Sequence, residues 1–148
     1  MSEPINSAGD YPAGKFANRS LVRTVVFQML YQEDLNTGSI NSYAETYFAQ
    51  ELPKHLPLLQ FARQLLSGTV LHQKEIDGQI ASIARNWTLE RINCVDRNIL
   101  RLAAFEILFT DLPKAVAINE AVELAKKFGT KDSPGFVNGI LDRLKKAD

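Results

Sequence analysis

Residues 117–144 read AINEAVELAKKFGTKDSPGFVNGILDRL, two amphipathic segments joined by a polar bend. Ile118, Ala121, Val122, Ala125 and Phe128 recur at three- and four-residue spacing, which is the period of a helix with one apolar face. Lys126 and Lys127 fall where the negative end of that helix's dipole lies. Gly129 is expected to supply the left-handed residue that ends it. Asp132 and Ser133 are suited to cap a second helix, Pro134 to its first turn, and Phe136, Val137, Ile140, Leu141 and Leu144 to its apolar stripe. Gly139 weakens such a helix by up to ~1 kcal/mol unless another helix approaches closely, so tight packing is expected for Gly139 and Asn138.

Working outward, the same period governs the rest of the chain. Leu21, Val22, Val25, Val26, Met29 and Leu30 form a stripe that NTGS at 36–39 stops. A weaker helix over Tyr43–Gln50 is closed by Pro53 and Pro57. From Leu58 to Ala84 one apolar face persists, with a bend expected at Gly68 or Gly78. NWTLERI at 86–92 reads as a short helical turn. Asn93 or Asp96 then opens a helix with Val95, Ile99, Leu102, Ala103 and Leu108 inward, ending before Pro113. Residues 1–17, with Pro4, Gly9, Pro12 and Gly14 and little periodicity, are expected to form a flexible leader. No segment reads as a strand, so the expected fold class is all-α, with one domain over 18–148.

Composition narrows the function. The 148 residues are 45% hydrophobic and 23% charged, with 17 basic and 17 acidic side chains and a formal net charge of zero. Such a balance argues against nucleic-acid binding by bulk electrostatics alone. The single cysteine, Cys94, excludes an internal disulfide and a thiolate metal cluster, and fits a reducing, cytoplasmic setting. The N-terminus lacks a secretion signal, and no apolar run approaches the ~18 residues of a membrane span. His55 and His72 lack metal-ligand spacing, GTKDSPG lacks the ending of a phosphate loop, and no nucleophile motif is present. Catalysis, metal and cofactor are therefore not expected.

Three features bear on binding. Arg19 and Arg23 share one face of the first helix, near its expected positive end, where cations suit an anionic partner better than they suit helix stability. The amides around Ser133 and Gly135 sit at a helix N-terminus and can meet a phosphate, while Asp132 can accept from base amino groups. Phe128 and Phe136 bracket the bend, and an exposed ring there can stack an unpaired base for roughly 1–3 kcal/mol. For each feature, a purely structural role is the competing explanation.

VAINEAVELAKKFGTKDSPGFVNGILDRL at 116–144 closely resembles the signature of the NusB family of bacterial transcription antitermination proteins. NWTLERINCVDRNILRLAAFEI at 86–107 and RSLVRTVVFQMLYQ at 19–32 resemble its central and N-terminal segments. The resemblance spans residues 18–146 and implies a fold of two small helical bundles with about seven helices. It further implies pairing with NusE, a ribosomal protein, and joint recognition of boxA, a single-stranded element of leader RNA. The complex joins RNA polymerase and carries ribosomal RNA operons past terminators. By position, the resemblance assigns Arg19, Arg23, Phe128, Asp132, Ser133 and Phe136 to RNA, and Tyr31 and Asp96 to NusE. A homodimer is a further partner state known in the family.

The chain departs from the family pattern at two places. Ser20 and Leu21 stand where basic residues are common, and Pro134 and Gly135 precede FVNG where a Lys or Arg is common. Weak RNA affinity without NusE is the expectation. An alternative is a helical protein-interaction module with a weakened RNA face. Another is an RNA-recruiting domain like those fused to ribosomal RNA methyltransferases, which requires a catalytic domain that these 148 residues do not contain. The expected site is one exposed groove formed by the cationic first helix and the capped bend.

Overall fold

The computed structural model describes residues 14–84 and 88–146, with side chains from Asn18 onward. The described residues contain seven α-helices, one 3-10 turn and no strand. The leader expected over 1–17 lies mostly outside the described residues, and the first helix already begins at Gly14. Asn86 and Trp87 of the expected NWTLERI turn also lie outside them. Two compact units are present, the first ending at Leu66 and the second starting at Ser67.

The first unit comprises α1 (Gly14–Leu35), α2 (Ile40–Glu51) and the beginning of α3 (Leu56–Leu71). α1 buries Val22, Val25, Val26, Phe27, Met29 and Leu30, as the stripe requires, but Leu21 is exposed. The turn after α1 is built around the Glu33 carboxylate, which accepts from the Gly38 amide at 2.8 Å and the Ile40 amide at 3.0 Å. Burial pushes this carboxyl up, but those bonds and the Ser39 hydroxyl outweigh it and hold Glu33 below its ordinary value. Gly38 adopts φ 97°, a conformation in which a side chain is strained. Across α2 and α3, Arg63 forks onto Glu45, with its closest contact at 2.7 Å.

The second unit holds the end of α3, α4 (Gln73–Ile83), the 3-10 turn Leu89–Arg91, α5 (Cys94–Phe109), α6 (Lys114–Phe128) and α7 (Ser133–Asp142). The long apolar face does break, but at His72 rather than at either glycine: its ψ of 12° leaves the helical range. The His72 ring stacks on Phe109, with centroids 3.9 Å apart. Gly68 serves packing, because a Cβ there would overlap the Phe105 ring.

α5 is the core of this unit and packs against α4, α6 and α7. It is buried nearly all round from Asp96 to Leu108, so the one-sided stripe read from sequence understates its burial. Its buried Arg101 and Asn98 are paired within the unit. Arg101 clamps both carboxylate oxygens of Asp77 at 2.8 and 2.9 Å and reaches Asn98 at 3.3 Å. At the far end, the Lys114 ammonium donates to the Asp142 and Leu144 carbonyls at 2.7 Å each, closing the C-terminus of α7.

A candidate RNA-binding cavity on the second unit

The bend between α6 and α7 is a knot of short polar bonds. The Thr130 amide donates to the Ser133 hydroxyl at 3.0 Å, and the Ser133 amide donates back to the Thr130 carbonyl at 3.1 Å. The Asp132 amide donates to the Thr130 hydroxyl at 3.3 Å. Ser133 is only 1% exposed. Its amide is therefore engaged within the bend and does not present itself to a phosphate as expected. Gly129 ends α6 with φ −97° and ψ −166°, which is extended rather than left-handed. The glycine is needed because a Cβ would overlap the Ser133 hydroxyl. Asp132 occupies the cap position of α7, but its side chain makes no capping bond, and the carboxylate is exposed.

Across from the bend lies the start of α5. Asn93 caps this helix, accepting from the Asp96 amide at 2.8 Å, which decides between the two starts read from sequence. Its amide nitrogen donates to Asp96 Oδ2 at 3.1 Å. Arg97 ties down the preceding turn, donating to the carbonyls of Leu89 at 3.1 Å and Ile92 at 3.0 Å. Asp96 is 5% exposed, and its Oδ1 has no hydrogen-bond partner.

Together these elements border an open cavity of about 260 Å³ whose lining includes Arg91, Asn93, Asp96, Asp132, Ser133 and Phe136. Three expected RNA residues, Asp132, Ser133 and Phe136, thus share one space with Asp96, expected on the partner side. Phe136 is half-buried: its face is neither sealed in the core nor fully solvated. Phe128 is also half-buried and is not among the lining residues; the Lys127 ammonium sits 5.5 Å from its ring. Arg91, Asn93 and Thr130 were missed as lining residues. The capping pattern of Asn93 was the available signal, but cap and cavity wall look alike in sequence.

The remaining expected residues lie in the first unit. Arg19 stacks its guanidinium 4.1 Å above the Phe61 ring, and Arg23 lies 5.2 Å from the same ring. Arg23 is 4% exposed, so it is not the solvent-facing cation that its spacing suggested. With α1 starting at Gly14, Arg19 also lies beyond the first turn, where the dipole argument loses force. Phe61, itself buried, is the platform that sequence reading overlooked. Tyr31 is half-buried, with its ring 6.3 Å from Phe27. Gly139 and Asn138 are exposed, and nothing lies within 4 Å of a Cβ at Gly139, so the tight packing expected there is absent. Among the described residues, no helix is long and apolar enough to cross a membrane.

Comparison with known proteins places this geometry in context. The NusB family model matches residues 20–146. The chain is 44% identical over 127 residues to the transcription antitermination protein NusB of Geobacter sulfurreducens, covering 85% of this chain and 92% of that protein. Among solved structures, T. maritima NusB superposes with a TM-score of 0.77 at 38% identity, over 84% of this chain and 88% of that one. A structure of the antitermination factors NusB and NusE in complex with dsRNA matches with a TM-score of 0.75 at 28% identity, over 86% of this chain and 96% of that one.

Proposed function

The chain belongs to the NusB family of transcription antitermination factors, which are not enzymes, and we propose that it pairs with NusE to bind boxA-like single-stranded leader RNA. In this role it joins the RNA polymerase antitermination complex in the cytoplasm and promotes read-through of ribosomal RNA operons. The observation that carries the reading is the half-buried Phe136 ring beside an uncapped Asp132 carboxylate in one cavity. The ring offers a stacking face, and the carboxylate offers an acceptor for base amino groups. Phe128 and Ser133 support this face, the first as a neighbouring ring and the second by locking the bend. Arg19 takes a backbone phosphate, while Arg23 adds its charge from beneath. Tyr31 belongs to the NusE side.

A neutral chain that binds RNA needs its partner to share the phosphate contacts. Titrating boxA-like RNA with and without NusE at several salt concentrations tests this. Affinity is expected to be weak for the chain alone and to recover with NusE. Equal, salt-sensitive affinity in both cases overturns the shared-contact reading. The burial of Arg23 favours a second reading, a protein-interaction module with a weakened RNA face. Replacing Arg19, Arg23 and Phe136 together separates the two. Loss of RNA binding with NusE pairing intact supports the first reading, and unchanged RNA binding refutes it.

A further inference from the structure

We infer that Phe61 is a positioning residue for RNA, its ring holding the Arg19 guanidinium in a fixed plane from which the N–H edge takes one backbone phosphate. This inference rests on the RNA-binding reading above and adds the residue that makes Arg19 effective. From Asn18 onward, α1 carries two basic side chains, Arg19 and Arg23, four residues apart. One ring on α3 gathers both. The Arg19 guanidinium carbon lies 4.1 Å from the Phe61 centroid, and that of Arg23 lies 5.2 Å away. Arg23 is buried, whereas Arg19 is half-buried and reachable from solvent. Among the described residues, none accepts a hydrogen bond from the Arg19 guanidinium; the Phe61 ring is what engages it.

An arginine on an open helix face explores many rotamers, and gripping an anion costs it that freedom. A guanidinium stacked on an aromatic face has already given up much of it, because the ring's negative face holds the planar cation. Stacking uses the face of the guanidinium and leaves the N–H donors in its plane, the geometry that grips two phosphate oxygens at once. The platform is itself anchored: Phe61 and its neighbours Leu58, Ala62 and Leu65 on α3 are all buried. Arg23 adds a second positive charge beside the same ring, which strengthens the pull on an anion. Such positioning matters most in a chain of zero net charge, where no general field gathers RNA. A Phe61 that only packs the core would leave the grip of Arg19 independent of the ring, and that difference is measurable.

The test uses the full chain with NusE and boxA-like single-stranded RNA, with dissociation constants measured at several salt concentrations. Arg19→Ala is expected to lower the log–log salt slope by about 0.7, the value of one phosphate contact. Phe61→Leu keeps an apolar side chain but removes the ring, and is expected to weaken RNA binding about two- to fivefold. Phe61→Tyr restores the ring face and is expected to recover that loss. In the Arg19→Ala background, Phe61→Leu is expected to change nothing further. An equal loss in both backgrounds assigns Phe61 to packing alone and overturns the inference, as does undiminished binding by Phe61→Leu. Should Phe61→Leu fail to fold, the Nε–H order parameter of Arg19 in the wild-type chain decides. A guanidinium as rigid as the backbone supports the inference, and one as mobile as an exposed arginine overturns it. Lost NusE pairing with an unchanged salt slope in Arg19→Ala gives the stacked cation a protein carboxylate instead, against the inference. RNA binding that Arg19→Ala leaves untouched overturns the inference and leaves the Phe136 reading standing. Absence of any RNA binding by the wild-type complex refutes both.

Discussion

A methyl group added at Gly129 would overlap the Ser133 hydroxyl and come within 2.9 Å of the Ala125 carbonyl oxygen. The carbonyl belongs to a helical turn and cannot yield cheaply. Gly129→Ala is therefore expected to cost about 1–3 kcal/mol in urea unfolding, the usual range for overpacking. Gly139 meets nothing, so Gly139→Ala is expected to stabilise by about 0.5–1 kcal/mol through helix propensity alone. Opposite signs at two glycines near one bend would locate the constraint in the Ser133 contact. Gly135 is likewise open, and its φ is not positive. Gly135→Lys is expected to fold normally and restore a phosphate contact. With NusE present, the salt dependence of RNA binding should steepen by about 0.7 in log–log slope.

At the scale of the element, two polar devices position the helices. Glu33 gathers the turn between α1 and α2, and its pKa is lowered in the folded state. A lowered carboxyl pKa stabilises the fold above the unfolded value of 4.5, and the contribution is lost as pH falls through the folded value. Glu33→Gln should thus melt below wild type at neutral pH, with the gap closing as the solution is acidified below pH 4.5. A gap that does not depend on pH would refute the ionised clamp. The second device is the Arg101–Asp77 pair between α5 and α4, with side-chain exposures of 7% and 21%. Arg101→Met leaves Asp77 without its counter-charge and is expected to cost about 3 kcal/mol, the low end for buried pairs because Asp77 retains some water. Double-mutant unfolding with Asp77→Asn checks this: the second substitution should recover part of the loss.

Across the whole molecule, neutrality is the organising fact. With 17 charges of each sign, the RNA affinity proposed for this chain requires placed contacts rather than a general field. The candidates for such contacts on the proposed reading are few: Arg19 over Phe61 in the first unit, and the Asp132–Phe136 cavity in the second. On the proposed function, an adaptor built this way gains affinity from its partner.

The helical period of the chain determined the fold class and most of the core. Apolar residues three and four apart have one way to leave water together, and Ile99, Val137 and Ile140 lie buried where that spacing put them. Helix ends at Pro113 and around the DSP turn were legible for the same local reason. Tertiary structure decided what the polar residues do. Spacing put Leu21 in the apolar stripe and Arg23 on the solvent-facing side, yet Arg23 is buried and Leu21 is exposed. Whether Asp96 is a cap, a partner contact or a cavity wall depends on Phe136 and Asp132, some forty residues away in sequence. Periodicity is a property of neighbours along the chain, whereas burial and hydrogen-bond satisfaction depend on what folding brings across space.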